Sequence, residues 1–251
     1  MSKTLNIIIP MAGKGSRFRD VGYTFPKPII DIKGKTMIEV VINNLKPDCD
    51  HKFIFICQRE HYEKYDLYNI LKNATDNKFE IVQIDGITEG AVCTVLCALQ
   101  YINNENDIVI ANSDQFISMG LNDFINDARC GDKDGLIMTF KASHPKWSYA
   151  RVGEDGNVVE VAEKRVISDK ATVGIYYFKS GKEFIRSAQS MIEKDMRHNN
   201  EFYVCPVYNE MILEDKNIGI KNIEVEEMHG LGTPEDLNEF LKKLDGGSVK
   251  I

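Results

Sequence analysis

The chain has 251 residues and a mass of 28.5 kDa, enough to bury roughly three quarters of the surface it exposes when unfolded. With 43% hydrophobic and 27% charged residues, 18 Gly and 7 Pro, it is no fibrous, disordered or staple-dependent sequence. The net charge of −7 argues against a nucleic-acid partner, which needs a broad basic surface.

No apolar run approaches the roughly 20 residues that span a bilayer, and the start, MSKTLNIIIPMAG, lacks a signal cleavage site. A soluble, cytoplasmic protein without a membrane partner is expected. Six cysteines, Cys49, Cys57, Cys93, Cys97, Cys130 and Cys205, show neither C-x-x-C nor zinc spacing and read as free thiols in a reducing compartment. Residues 1–36 hold seven Lys or Arg against Asp20 and Asp31, a net +5 that leaves −12 for the remainder. That asymmetry points to a small, highly charged anionic ligand held at one place.

In chain order, Asn6 to Pro10 is a β-branched run followed by small and basic residues, the pattern of a buried strand ending in a functional loop. Further strands are expected at Lys52 to Cys57, Phe79 to Ile84 and Asp107 to Asn112, with helical patterns near Glu60 to Leu71 and Ala91 to Tyr101. This alternation predicts an α/β chain with a mostly parallel central sheet, helices on both faces, and ligands beyond the carboxyl ends of the strands. From Gly135 the sequence turns strand-rich, with runs at Leu136 to Ala142, Tyr149 to Val152, Val158 to Glu163 and Thr172 to Phe178. Gly153 to Asn157 reads as a hairpin turn, and this half is expected to add antiparallel strands that wall a substrate pocket. Helices are expected at Lys182 to Lys194 and Val207 to Leu213, a strand at Ile218 to Glu226, and a last helix near Pro234 with Thr233 as N-cap. Without a linker or repeat, residues 1–251 are taken as one domain.

The first strand runs into Met11-Ala12-Gly13-Lys14-Gly15-Ser16-Arg17-Phe18. Glycines let backbone N–H groups approach phosphate oxygens, and Lys14 and Arg17 supply charge-assisted contacts; a solvated basic turn is the alternative. A P-loop is absent, and the dinucleotide fingerprint fails at its third glycine, where Phe18 stands. Further on, Phe25-Pro26-Lys27-Pro28 fixes the backbone around Lys27, so that its ammonium can be aimed with little ordering cost.

The G-x-G-x-R loop followed by P-K-P, over Ile7 to Ile30, resembles the N-terminal signature of the nucleotidyltransferases that activate sugar phosphates and related phosphorylated alcohols. Gln83 with Thr88-Glu89-Gly90-Ala91, Asn112-Ser113-Asp114-Gln115, Glu163-Lys164, Val173-Gly174-Ile175-Tyr176 and Gly232-Thr233-Pro234 match further family segments in the same order. The resemblance covers nearly the whole chain and implies a Rossmann-like nucleotidyltransferase fold.

It also implies roles. The nucleotide would be bound by Met11, Ala12, Gly13, Lys14, Gly15, Ser16, Arg17, Lys27, Gln83, Thr88, Glu89, Gly90, Ala91, Ser113 and Asp114. Arg17, Lys27 and Lys164 would be the catalytic cations. Asp114, just past a strand end, would bind Mg²⁺, with Mn²⁺ as a substitute; a helix N-cap is the alternative. The family's second metal carboxylate has no counterpart here, since Gly230 stands in its place, and Glu226, Glu227 or His229 are the candidates to compensate. Tyr149, Arg151, Glu163, Lys164, Glu201 and Tyr203 would bind the acceptor, with Trp147 nearby. For the aromatics core packing is an equal alternative, as a surface ion pair is for Arg151.

The partners implied are a nucleoside triphosphate and a small phosphorylated acceptor, and a homo-oligomer is compatible with the sequence. The middle segment departs from the wording of hexose-1-phosphate enzymes and is similar to the capsule-pathway branch that joins CTP and L-glutamine phosphate into CDP-L-glutamine. Sugar-1-phosphate uridylyl or thymidylyl transfer is the first alternative. A glycosyltransferase is disfavoured by the lack of D-x-D at Ser113-Asp114-Gln115, and a nucleotide sensor would not need an aimed Lys27 and Lys164.

Overall fold

The computed structural model describes residues 3–251. Its first strand, β1 (Leu5–Pro10), leads through a glycine-rich loop to a short helix α1 (Ser16–Arg19) and a 3-10 turn at Lys27–Ile29. A small hairpin, β2 (Asp31–Ile32) and β3 (Lys35–Thr36), precedes α2 (Met37–Leu45). Then come β4 (His51–Gln58), α3 (Arg59–Lys64), α4 (Leu67–Ala74), β5 (Phe79–Ile84), α5 (Ala91–Leu96) and α6 (Leu99–Ile102). Next are β6 (Ile108–Ala111), β7 (Gln115–Ile117), α7 (Leu121–Cys130), β8 (Gly135–Lys141), β9 (Tyr149–Val152), β10 (Val158–Ala162) and β11 (Lys170–Phe178). The chain closes with α8 (Gly181–Glu193), α9 (Val207–Ile212), β12 (Ile218–Ile223), β13 (Met228–Gly230) and α10 (Pro234–Asp245).

The aliphatic run of β1 makes it a central strand, parallel to β4 on one side and β6 on the other, with β5 parallel to β4 at the edge. Antiparallel β11 follows β6; β8 pairs antiparallel with β11 and β12 parallel with β8, while the β9–β10 hairpin joins the start of β11 through Ala171 and Tyr149. The fold is therefore α/β, a mostly parallel sheet with an antiparallel extension.

Period-two alternation sends Ile7 and Ile9 of β1, with Phe53 and Phe55 of β4, into one apolar layer under α2, α4, α7 and α10. Ile8, Ile54 and Ile56 enter the other, beneath α5, α6, α8 and α9. Both faces are covered, which a parallel sheet requires. Among the described residues no helix is long and apolar enough to cross a membrane.

Three expectations need correction, and one alternative is excluded. The Glu60 to Leu71 pattern is two helices, broken at Asp66, whose φ is 48°. The Ala91 to Tyr101 pattern is likewise split into α5 and α6. The strand from Ile218 stops at Ile223, followed by a 3-10 turn at Val225–Glu227. Asp114 caps no helix, because strand β7 follows it directly and α7 starts only at Leu121. Helices α2 and α7 were not foreseen. The six cysteines are free thiols, Cys57 and Cys205 buried, Cys97 and Cys130 exposed.

Candidate active site

The glycine-rich loop lies where the topology puts ligands, beyond the carboxyl end of β1. Met11 N–H donates to Ile56 C=O at 2.9 Å, so the loop begins tied to the sheet. Gln58 then bridges two loops, donating from Nε2 to Ala12 C=O and Gly86 C=O, both at 2.6 Å. Gly15 has φ 58°, and a Cβ there would sit 3.3 Å from Lys27 Cβ, so this glycine lets the loop close over the Pro-Lys-Pro segment. Buried Phe18, at the failed third-glycine position, anchors α1 by packing edge-on to Tyr23.

Pro26 precedes the 3-10 turn that Lys27 opens, and Pro28 is buried. The Lys27 ammonium is thereby aimed at Asp114, with which it forms a half-buried ion pair. Asp114 follows β6 by three residues. Its C=O accepts from Leu231 N–H at 2.8 Å, and a Cβ on Gly232 would come within 2.8 Å of its Oδ2. The Gly-Thr-Pro glycine thus keeps room for this carboxylate, while Thr233 Oγ caps α10 through Asp236 N–H at 3.1 Å. Gly13, Gly15, Lys27, Ser113 and Asp114 line a cavity of ≈ 240 Å³.

Ala91 joins that cavity to two neighbours. One, of ≈ 440 Å³, lies between Ala12 to Ser16 and Ile87, Thr88, Gly90, Thr94, Glu201 and Tyr203. Thr88 Oγ is held by Gly90 C=O at 3.0 Å and Thr94 Oγ at 2.6 Å. Gly90, at φ 118°, has no room for a Cβ, which would fall 2.5 Å from the Phe202 N and O atoms. Backbone bonds from Phe202 N–H to Glu89 C=O (2.8 Å) and from Val92 N–H to Phe202 C=O (3.1 Å) zip the two segments together.

The other cavity, ≈ 320 Å³, is lined by Arg17, Asn112, Gln115, Lys146, Trp147, Ser148, Glu163, Tyr176, Tyr203 and Cys205 among others. Lys164 holds a left-handed backbone, φ 50°, and donates from Nζ to Tyr203 Oη at 2.7 Å. Burial and the hydrogen-bonded, negative Glu201 push the Tyr203 hydroxyl well above the usual phenol range, against the field of Arg17. Burial also raises the Glu163 carboxyl, opposed by a hydrogen bond from Ser148 Oγ and by the more distant charge of Lys164.

Four of the residues read from the sequence lie elsewhere. Gln83, on the edge strand β5, accepts from Arg59 Nη1 at 3.1 Å, and Gln58 occupies the bridging position instead. Glu89 faces outward, paired with Arg197 at 2.5 Å. Tyr149 is fully buried and donates to His144 C=O at 2.8 Å, a core residue. Arg151 forms an exposed pair with Glu160 at 2.8 Å. None of the residues named to replace the carboxylate at Gly230 reaches Asp114 in an ion-binding arrangement. His229 is buried between Phe116 and Phe240, Glu227 accepts from Glu224 N–H at 2.9 Å, and Glu226 is exposed. Lys146 carries no distinguishing local signal, Asn112 lies in the matched Asn112 to Gln115 segment, and Gln58 is separated from Gln83 only by strand order.

The donor set can be tested against a divalent ion. Among the described residues no group of three His, Cys, Asp or Glu side chains converges, so no closed protein cage exists. A magnesium-type ion needs none, since it keeps waters and takes one or two carboxylates beside the phosphates. Asp114 already holds a cationic group, the Lys27 ammonium, against its carboxylate, so the residues fit one ion held from one side.

The family model described as nucleotidyl transferase matches residues 6–241. The chain belongs to that family. It is 25% identical over 175 residues to the low-salt glycan biosynthesis nucleotidyltransferase Agl11 of Haloferax volcanii, covering 68% of this chain and 48% of that protein. It is 25% identical over 221 residues to the bifunctional protein GlmU of Methanocaldococcus jannaschii, covering 86% and 49%. The chain thus spans about half the length of the curated relatives it matches. A crystal structure of a nucleoside-diphosphate-sugar pyrophosphorylase from Vibrio cholerae RC9 superposes with a TM-score of 0.82 at 26% identity, over 94% of this chain and 99% of that one. The fold is also shared with a UDP-glucose pyrophosphorylase complexed with UDP-glucose, at TM-score 0.76 and 17% identity over 97% and 99%.

Proposed function

We propose that the chain transfers a nucleotidyl group from a nucleoside triphosphate to a small phosphorylated acceptor. The observation that carries this reading is the placement of Lys27 against Asp114 at the floor of a cleft that the glycine-rich loop overhangs. A phosphate oxygen of the acceptor attacks the α-phosphorus, the bond to the bridging β-oxygen breaks, and pyrophosphate leaves. A phosphate monoester is already largely dianionic at neutral pH and needs no general base. A divalent ion, Mg²⁺ in this reading with Mn²⁺ as a substitute, would be held by Asp114 and supplies charge neutralisation on the triphosphate.

The chain's own cations do the rest. Arg17 grips the outer phosphates, and Lys27 and Lys164 flank the α-phosphate and the acceptor's phosphoryl group, offsetting the repulsion between two polyanions held in line. The shelf from Thr88 to Ala91, facing Ala12 and Gly13, takes the base.

The finer reading is CTP with L-glutamine phosphate, giving CDP-L-glutamine and pyrophosphate for phosphoramidate decoration of a capsule. It is supported by the wording of the segments at Phe55 to Gln58, Thr88 to Thr94 and Ala111 to Gln115. A second reading, uridylyl or thymidylyl transfer to a sugar 1-phosphate, is favoured by the similarity to a nucleoside-diphosphate-sugar pyrophosphorylase. A pyrophosphate-release screen of CTP, UTP, dTTP, ATP and GTP against L-glutamine phosphate, phosphocholine, glycerol phosphate and hexose 1-phosphates separates them. Release with no pair would end both readings.

A further inference from the structure

The lining of the ≈ 320 Å³ cavity includes a half-buried carboxyl group that the transfer step does not use. Glu163 follows β10, and one of its oxygens accepts a hydrogen bond from Ser148 Oγ. Among the described residues no Lys, Arg or His nitrogen comes within 4.0 Å of its carboxylate. Other sheltered carboxylates of this chain have such a partner: Glu210 pairs with Lys194 at 2.6 Å, Glu183 with Lys216 at 3.1 Å and Asp107 with Arg129 at 2.7 Å. Burial alone raises the pKa of Glu163, Glu183 and Glu210 alike; paired cations reverse the shift for Glu183 and Glu210, and Glu163 stays raised.

Arg17 and Lys146, of the opposite sign, line the same cavity. The Lys146 ammonium lies 4.6 Å from the Trp147 ring centroid, a cation on an aromatic face, whereas the Lys164 ammonium meets Tyr203 at its hydroxyl, 2.7 Å from Oη. Two exposed cations and a half-buried carboxylate thus share one lining.

We propose that the acceptor is zwitterionic, with its phosphoryl group beside Lys146 and Lys164 and an ammonium group hydrogen-bonded to Glu163. This rests on the nucleotidyl-transfer reading of the cleft and goes further by naming the charge type of the acceptor. A ligand ammonium supplies the direct countercharge that Glu163 lacks, since Lys164 and His198 act on it only from a distance. A hydroxyl at that point would donate a hydrogen bond but leave the half-buried carboxylate without that countercharge. Glu163 is then the residue that determines acceptor specificity.

The test uses matched acceptors that differ only in an amino or hydroxyl group: phosphoethanolamine against 2-hydroxyethyl phosphate, phosphoserine against 3-phosphoglycerate, and glucosamine 1-phosphate against glucose 1-phosphate. The three pairs distinguish an amino alcohol, an amino acid and an amino sugar as the source of the ammonium. Pyrophosphate release is followed with the triphosphate that binds most tightly. For at least one pair, kcat/KM should favour the amino member by about tenfold or more, the discrimination expected of a charge-assisted bond over a neutral one. In Glu163→Gln that ratio should fall toward unity, while triphosphate affinity and the thermal midpoint certify a folded protein.

Equal use of both members, preference for the hydroxyl member, or a ratio unchanged in Glu163→Gln overturns the inference and leaves nucleotidyl transfer standing. Failure of every pair, together with failure of the wider screen, removes nucleotidyl transfer itself.

Discussion

Lys27 and Asp114 meet as an ion pair across the cleft although 87 positions separate them in the chain. In the proposed reading, the carboxylate that would hold the divalent ion is therefore already neutralised by a side chain with a second role on the triphosphate. Lysine and metal would then compete for the same oxygens. Lys27→Met should tighten Mn²⁺ binding to the nucleotide-free protein by about tenfold, roughly 1.4 kcal/mol, as read by electron paramagnetic resonance, while lowering turnover by about 10² to 10³. Asp114→Asn should weaken both. Weaker Mn²⁺ binding in Lys27→Met would show that the lysine does not oppose the ion.

Gly232→Ala tests the space left for Asp114. The added methyl would lie 2.8 Å from Oδ2, so the carboxylate must rotate away. Because the displaced group is the end of a side chain, folding should be little affected, whereas turnover should drop by about 10² through misplacement of the ion and of Lys27. A thermal melt beside a pyrophosphate assay separates the two effects, and unaltered turnover would mean that the orientation of Asp114 is unimportant.

Gly90→Ala should behave in the opposite way. Here the new methyl meets backbone atoms of Phe202 at 2.5 Å, at a φ of 118° that side chains rarely adopt. Neither segment can yield without breaking the bonds that zip them, so a loss of about 3 kcal/mol is expected in denaturant unfolding, along with loss of triphosphate binding. A variant of wild-type stability would show that the segment from Thr88 to Ala91 is free to move.

Glu210 is one contributor to the acid limb of stability. Burial would raise the pKa of Glu210, but hydrogen bonds to its Oε2 from Lys194 Nζ and Ser190 Oγ, both 2.6 Å, outweigh burial and lower it. With the folded value below the unfolded one, the stabilisation is complete above the unfolded pKa of about 4.3 and is lost as pH falls through the folded value. Glu210→Gln should cost about 1 to 2 kcal/mol at pH 7, and the gap to wild type should close on acidification. A gap of constant size from pH 7 to pH 3 would count against this account.

Much of the sheet could be read locally, because β1, β4 and β6 are aliphatic runs that no helix periodicity fits, and because Thr233-Pro234 announces α10. Helix α2 was hidden by its β-branched stretch, Ile38-Glu39-Val40-Val41-Ile42. The deciding signal was the Thr36 to Glu39 capping box, whose reciprocal hydrogen bonds the structure contains. The loop and Pro-Lys-Pro residues are fixed by glycine and proline chemistry, which is local, so their placement could be anticipated. Tyr149 and Arg151 could not be placed in this way. Which side their common face of β9 presents depends on the pairing of Tyr149 with Ala171, a long-range register that neighbouring residues do not specify. Gln83 and Gln58 stand opposite ways for a similar reason: they sit on adjacent parallel strands, and only the strand order decides which borders β1.

The backbone zipper at Phe202 makes Tyr203 a party wall between two rooms, bordering both the ≈ 440 Å³ and the ≈ 320 Å³ cavities. A wall bolted to one room cannot be moved to enlarge the other. Under the proposed reading, descendants of this sequence that change their acceptor would be steered toward remodelling the Lys146 to Ser148 segment, which lines the ≈ 320 Å³ cavity and not the ≈ 440 Å³ one.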